Sequence, residues 1–309
     1  MLQSLALWNP SFTSAMQTEL EAGDLPFVLF NFSNVDSNNY PSTRSCILRG
    51  FLFDQEKTNV LVFTTDKRST KYKDLLKNPR FDACFYFRKL KKQYRFKGTV
   101  RMISDDLTPN ITYENDYING INNDIGSDSN EGNKSDTSSI DDENESLISQ
   151  YLSQNNKKLK PQTIHEPLNY KLFSPNFIKT FEDSSISLSD LGQKMEINNN
   201  TEELSNVPTS EEWQNERLRV WNALTRNMKK SFKKPIPGTP LTEESRKLLD
   251  AINRGVDGNN SSTGYENFVV VCMFVELVDE VVLGGSGYDR RHIYRKTNNH
   301  LWKEYEVCP

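Results

Sequence analysis

The sequence predicts a mainly β chain with flanking helices, a small barrel of antiparallel strands interrupted by a long disordered insertion. Three observations carry that reading. Short β-branched and aromatic runs recur up to Ser104 with tight turns between them. More such runs follow from Phe268 to the end. Between the two halves, about a hundred residues rich in Asn, Ser, Asp and Glu carry too little apolar surface to offset chain entropy. Residues 1–104 and 209–309 are then two parts of one barrel, and 105–208 is a largely disordered insertion.

Asn9-Pro10 reads as a helix start, Asn as N-cap and Pro in the first turn. Phe12, Ala15, Met16 and Leu20 give that helix one apolar face, and Gly23 ends it. Residues 26–32 and 43–53 read as the first two strands. The second sets Arg44 and Arg49 among apolar residues, as a strand does when it faces a site or a sheet edge. Residues 59–65 form the third strand. Ser69 then caps a short helix with Tyr72, Leu75 and Leu76 inward, closed by Asn78-Pro79. Residues 81–87 and 94–100 return as aromatic-rich strands. Within the insertion, HEPLNYKLFSPNFIKTFE is apolar enough to dock on the folded part. Thr209-Ser210-Glu211-Glu212 opens a helix running to Phe232. A shorter helix covers 243–253, and strands at 268–277, 281–283, 290–295 and 301–307 finish the sheet.

The 309 residues carry 38 Lys and Arg against 42 Asp and Glu, a net charge of −4. A general nucleic-acid binder shows a basic excess, so that class is disfavoured, although residues 67–101 are strongly basic. Cys46, Cys84, Cys272 and Cys308 lie far apart with no Cys-x-x-Cys, and His165, His292 and His300 are the only imidazoles. No zinc-ligand spacing results. No apolar run approaches the roughly eighteen residues of a membrane span, and the N-terminus lacks a secretory pattern. A soluble, reduced, cytoplasmic protein is expected.

Two stretches carry candidate chemistry. The turn after the third strand brings Lys67, Arg68, Ser69, Thr70 and Lys71 to a helix start, whose free N–H groups suit an anion such as a phosphate. The plainer reading is a solvated basic turn. On the long helix, Trp213, Arg217 and Trp221 recur every four residues and share a face. They either line a pocket for a flat anionic ligand or form a core stripe with Arg217 at its edge.

Four motifs in order resemble those of the pyridoxamine 5′-phosphate oxidase-like, FMN-binding split-barrel proteins. Residues 40–49, YPSTRSCILR, are similar to the family's G-x-P-x-x-R-x-V-x-L-[KR] strand. Phe63-Thr64-Thr65-Asp66 with Ser69-Thr70-Lys71 resembles its F-Y-T-N…S-R-K turn. Residues 93–98, QYRFKG, resemble R-Q-V-R-x-x-G, and residues 302–309, WKEYEVCP, resemble W-x-x-x-R-L-x-P. The resemblance covers both ordered parts and leaves out the insertion. It implies an FMN-binding split barrel that works as a homodimer with the flavin at the subunit interface. It implies FMN phosphate contacts from Arg44 and Lys71, with Arg49, Arg68, Ser69 and Thr70 in the same cofactor-binding set. Thr64 and Thr65 would meet the flavin or its ribityl chain, and Gln93 would hydrogen-bond the cofactor. Lys230 and Ser231 stand at a Gln-Ser pair that the second subunit contributes, and Arg291 aligns with a late FMN-binding arginine.

The chain also departs from the family pattern. Thr70 replaces an arginine, with Arg68 close by. The Y-x-x-x-R-x-x-x-S helix that holds the oxidase's substrate phosphate reads Trp213, Arg217, Trp221. Gly287-Tyr288-Asp289 replaces R-L-H. The resemblance therefore implies a flavin-dependent oxidoreductase of unassigned small-molecule substrate, with pyridoxamine phosphate disfavoured and no catalytic acid or base identified. The alternative is a non-catalytic flavin-binding sensor, carrier or scaffold. No metal, nucleic-acid or membrane partner is expected.

Overall fold

The computed structural model describes residues 3–23, 25–113, 163–184, 205–254, 264–284 and 287–309. Residues 114–162 and 185–204, on which most of the expected disorder falls, lie outside the described residues. The elements in order are α1 (Asn9–Glu21), β1 (Leu29–Val35), β2 (Pro41–Ile47), β3 (Val60–Asp66), α2 (Thr70–Lys77), β4 (Arg80–Phe87) and β5 (Lys92–Ile103). There follow β6 (Ile111–Thr112), β7 (Leu168–Asn169), α3 (Pro175–Ser184), α4 (Ser210–Asn222), α5 (Arg226–Ser231), α6 (Glu243–Arg254), β8 (Phe268–Val282), β9 (Arg290–Lys296) and β10 (Trp302–Val307). The main sheet runs β10-β9-β8-β5-β4-β1-β2, with β3 paired to β8. Every pairing in it is antiparallel.

β8 is the spine. Its first half lies between β3 and β5, its second half between β5 and β9. Val269, Val271, Met273 and Val275 face one core with Trp8, Phe12, Phe30, Phe63, Phe85 and Phe96. Phe268, Val270, Cys272 and Phe274 face a second core with Tyr170, Leu172, Trp213 and Trp221. Burial on both faces explains why this strand reads as an unbroken apolar run rather than an alternation. The two strands expected at 268–277 and 281–283 are one, because a register shift at Lys97/Gly98 absorbs the irregularity. A Cβ on Gly98 would overlap the Phe274 carbonyl oxygen. Gly98→Ala is therefore expected to cost about 1–3 kcal/mol, seen as a melting temperature several degrees lower; an unchanged melt would show that the bulge can open.

Other local readings need correcting. The residue flanking α1 is Trp8, with no side-chain cap, and Asn9 lies inside the helix. Its amide donates instead to the Glu56 carbonyl and the Asn59 side chain, both at 3.0 Å, and it is fully buried. The helix expected from 209 to 232 is two, because the Thr225 hydroxyl accepts from Met228 N and starts α5 afresh. The folded part also reaches into the expected insertion. Residues 1–113 and 163–309 form one compact unit, and Ile111, Ile164, Leu168, Tyr170, Leu172, Phe173 and Phe177 are buried in it. The apolar stretch expected to dock does so, and a short parallel ladder joins β6 to β7.

Candidate functional site

The barrel is open between β2 and β3. Arg49 N donates to the Val62 carbonyl at 2.8 Å and Val62 N to the Gly50 carbonyl at 2.9 Å. Beyond that join, toward Arg44 and Thr65, no ladder links the two strands. α2 begins beside this gap, where the Ser69 hydroxyl accepts from Tyr72 N and donates to the Asp66 carbonyl, 2.7 Å away. Lys71, in the first turn, sends its amine into the split. Nζ lies 3.8 Å from Cys46 Sγ and 5.0 Å from the centre of the Phe63 ring.

The split is therefore positively charged and poorly hydrated. Burial holds the Lys71 ammonium below its ordinary pKa, and Arg44 pushes the same way against the Cys46 sulfur. Burial raises the Cys46 thiol, although Lys71 and Arg44 both pull it down. Arg44 donates to neutral groups, Asn34 Oδ1, the Ser42 carbonyl at 2.8 Å and Ser42 Oγ at 2.7 Å, with the Asp74 carboxylate nearby but outside hydrogen-bond contact. Among the described residues no carboxylate forms an ion pair with Arg44 or Lys71. A dianion would relieve the cost of burying these two cations, so the residues present fit a phosphate-bearing group.

The rest of the basic turn is already neutralised. Lys67 Nζ pairs with Asp105 at 2.6 Å and Asp106 at 2.8 Å. Arg68 chelates Asp66 and donates to the Phe232 carbonyl at 3.1 Å. Thr64 is half-buried, Thr65 is buried with its hydroxyl 3.3 Å from Ser69 Oγ, and Thr70 is exposed. Arg49 Nη2 meets the Met228 sulfur at 2.9 Å, while its buried Nε has no partner. Lys230 Nζ reaches the Asn253 carbonyl at 3.5 Å, and Ser231 Oγ donates to the Met228 carbonyl at 2.6 Å. Their helix, α5, thus borders Arg49 and Arg68 of the same chain.

Gln93 and Arg291 stand elsewhere. Both are in register with Val281, on either side of β8, whereas Thr64 and Thr65 are in register with Val270 and Val269. The strand between those levels is roughly 35 Å long at 3.3 Å per residue. Arg291 grips Asp279 through two bonds of 2.9 Å, and Arg95 binds the same carboxylate. Gln93 and Arg291 therefore stand at the other end of β8 from Thr64 and Thr65.

Trp213, Arg217 and Trp221 do share a face, and that face is interior. They are 1%, 3% and 6% exposed. Arg217 donates to the Phe268 carbonyl at 3.1 Å and the Tyr265 carbonyl at 2.7 Å, and lies 4.1 Å above the Tyr265 ring. Trp213 packs on Phe53, and Trp221 on Phe232, Tyr265 and Phe268. In this chain the three residues form the core stripe, and the pocket expected between them is filled by their own packing. Sequence reasoning missed Cys46 beside Lys71, and Asn34 and Ser42 behind Arg44. It also missed the acidic pair that holds Lys67. Only the alternation of β2, which puts Arg44 and Cys46 on one side, could have pointed to the first.

Among the described residues no helix is long and apolar enough to cross a membrane, and no group of three or more His, Cys, Asp or Glu is arranged to hold a metal.

Residues 5–104 match the family model described as pyridoxamine 5′-phosphate oxidase, FMN-binding domain. The chain is 31% identical over its whole length to the uncharacterized protein YGR017W of Saccharomyces cerevisiae, all of which is covered. It is 36% identical to the pyridoxine/pyridoxamine 5′-phosphate oxidase of Pelagibacter ubique over 23% of this chain and 31% of that enzyme. A pyridoxamine 5′-phosphate oxidase-related, FMN binding protein from Nostoc punctiforme shares the fold, with a TM-score of 0.56 and 18% identity over 99% of this chain and 100% of that one. With the open antiparallel barrel and the cationic split, these matches show that the chain belongs to the pyridoxamine 5′-phosphate oxidase-like family.

Proposed function

We propose that the protein binds FMN at the split and works as a homodimeric flavin-dependent oxidoreductase on a small molecule other than pyridoxamine 5′-phosphate. The observation that carries the proposal is the pair of half-buried cations, Arg44 and Lys71, at the mouth of the split, neither in an ion pair among the described residues. Arg44 and Lys71 bind the phosphate, Thr64 and Thr65 line the path toward the ring, and Ser69 caps the helix start that carries Lys71. When bound, FMN supplies the two-electron chemistry, and the chain supplies position and access. The placement of Gln93 and Arg291 at the other end of β8 from Thr64 and Thr65 supports a dimer in which a second copy brings them to the same ligand. All four cysteines are free thiols, which fits a reducing compartment such as the cytoplasm.

One observation favours the second reading, a flavin-binding protein without turnover. Arg217, which stands where the family clamps a substrate phosphate, is taken up by backbone carbonyls. Purified protein is expected to be yellow, with flavin absorbance near one per chain and negligible oxidation of pyridoxamine 5′-phosphate. Colourless protein that fails to take up added FMN would refute the cofactor proposal. Absence of reaction with both reduced nicotinamides and the B6 vitamer, in flavin-loaded protein, would favour the non-catalytic reading.

A further inference from the structure

A hollow of about 230 Å³ opens where the last turn of α1, the chain entering β1 and the end of β4 meet. Leu25, Phe27, Leu29 and Tyr86 line it, and Glu19 and Arg88 are its charged groups. Neither Arg44 nor Lys71 is part of this lining, so the hollow is separate from the split. Leu25, Leu29 and Tyr86 are 42%, 45% and 48% exposed, although Phe30 and Phe87, their neighbours in sequence, are buried. Single apolar side chains facing water are ordinary on a protein surface, whereas several gathered around one concavity mark a place where something apolar can settle.

Charge and size narrow what that is. Oε2 of Glu19 is shut off from water and has no hydrogen-bond donor. Gln17, one turn away on the same helix, gives its amide to Glu21 instead. Arg88 has an interaction of its own, and among the described residues no cation forms an ion pair with Glu19. A carboxylate that water reaches from one oxygen only, beside apolar walls, holds a cation more strongly than an exposed one does. The ring faces of Phe27 and Tyr86 favour a cation as well. An apolar cavity of about 150 Å³ takes up benzene, so this hollow admits one ring with a short chain. It is smaller than the roughly 300–1,000 Å³ pockets of drug-sized ligands, which excludes a nucleotide or a flavin. We propose that the hollow binds a small primary amine, with its ammonium against Glu19 and its apolar body over Leu25, Leu29 and Tyr86.

Calorimetric titration of the full chain with phenethylamine tests this, with phenethyl alcohol and hydrocinnamate as neutral and anionic analogues of similar shape at matched ionic strength. The amine is expected to bind saturably, at least about tenfold more tightly than either analogue. Glu19→Gln should weaken the amine at least about tenfold, with the alcohol and the melt unchanged. Tyr86→Ala should weaken the amine and the alcohol alike, since both lose the same apolar contact. Equal affinity for amine and alcohol in the native chain would overturn the proposal, and so would native amine affinity in Glu19→Gln. Absence of saturable binding would overturn it too. Amine binding that appears only on dilution would give the hollow to a second copy of the chain and likewise overturn it.

Discussion

Arg44→Ala and Lys71→Ala are each expected to weaken FMN binding by about one to two decades while leaving riboflavin binding nearly unchanged. A hydrogen bond to a charged group contributes roughly 1.5–3 kcal/mol, and each variant removes one such donor from a site with few. The difference between the two flavins isolates the phosphate, because riboflavin lacks it and shares everything else. Lys71 adds a pH signature. Burial lowers its pKa, so the FMN advantage over riboflavin should fade as pH rises through that lowered value, earlier than an ordinary lysine would allow. Fluorescence quenching of both flavins across the alkaline range measures this. Equal losses for FMN and riboflavin in either variant would remove both residues from the phosphate site.

Excision of residues 107–206 is expected to abolish soluble folding, contrary to what the polar composition of that stretch suggests. The cut would remove Tyr170 and Leu172, which are 4% and 0% exposed in the second core. Tyr170 meets Phe274 edge-on at 5.0 Å and carries the Lys296 ammonium 3.8 Å above its ring centre. Arg101 also loses its bond to the Glu166 carbonyl, 2.8 Å away. Because a gross deletion can fail for many reasons, the sharper test is Tyr170→Ala. Truncating a large buried aromatic costs about 3–5 kcal/mol, a fall in melting temperature of roughly 10 °C for a domain of this size. His165→Ala, at an exposed position five residues earlier, should stay within about 0.5 kcal/mol of native. If the two variants melt alike, the segment around Tyr170 is not part of the core.

Local signals were legible where a side chain speaks to its own backbone. Ser69 and Thr209 cap the helices that their spacing announces, and Glu212 completes a capping box with Thr209. The strands β3 and β4 were equally clear, β3 as an unbroken apolar run buried on both faces and β4 as an alternation buried on one. What stayed hidden depends on partners distant in sequence. Asn9 looks like an N-cap until Asn59 and Glu56 claim its amide. Arg217 looks like a ligand clamp because its partners are backbone carbonyls, which any residue supplies and no motif records. Lys67 looked available for an anion because Asp105 and Asp106 lie beyond three intervening elements. The boundary of the insertion was misplaced for a related reason. Average composition fell at Ser104, while the few apolar residues that anchor the chain, such as Ile111 and Leu168, are too sparse to alter an average.

The ladder between Ile111 and Leu168 has a consequence for how this chain can change over time. It fixes the points at which the polypeptide leaves the barrel and returns to it, so the barrel's register does not depend on how many residues run between them. A shift of one residue at either anchor displaces Leu168 or Ile111, both buried, from the core. Homologous chains are expected to vary widely in length between these two points and to keep their apolar character at them.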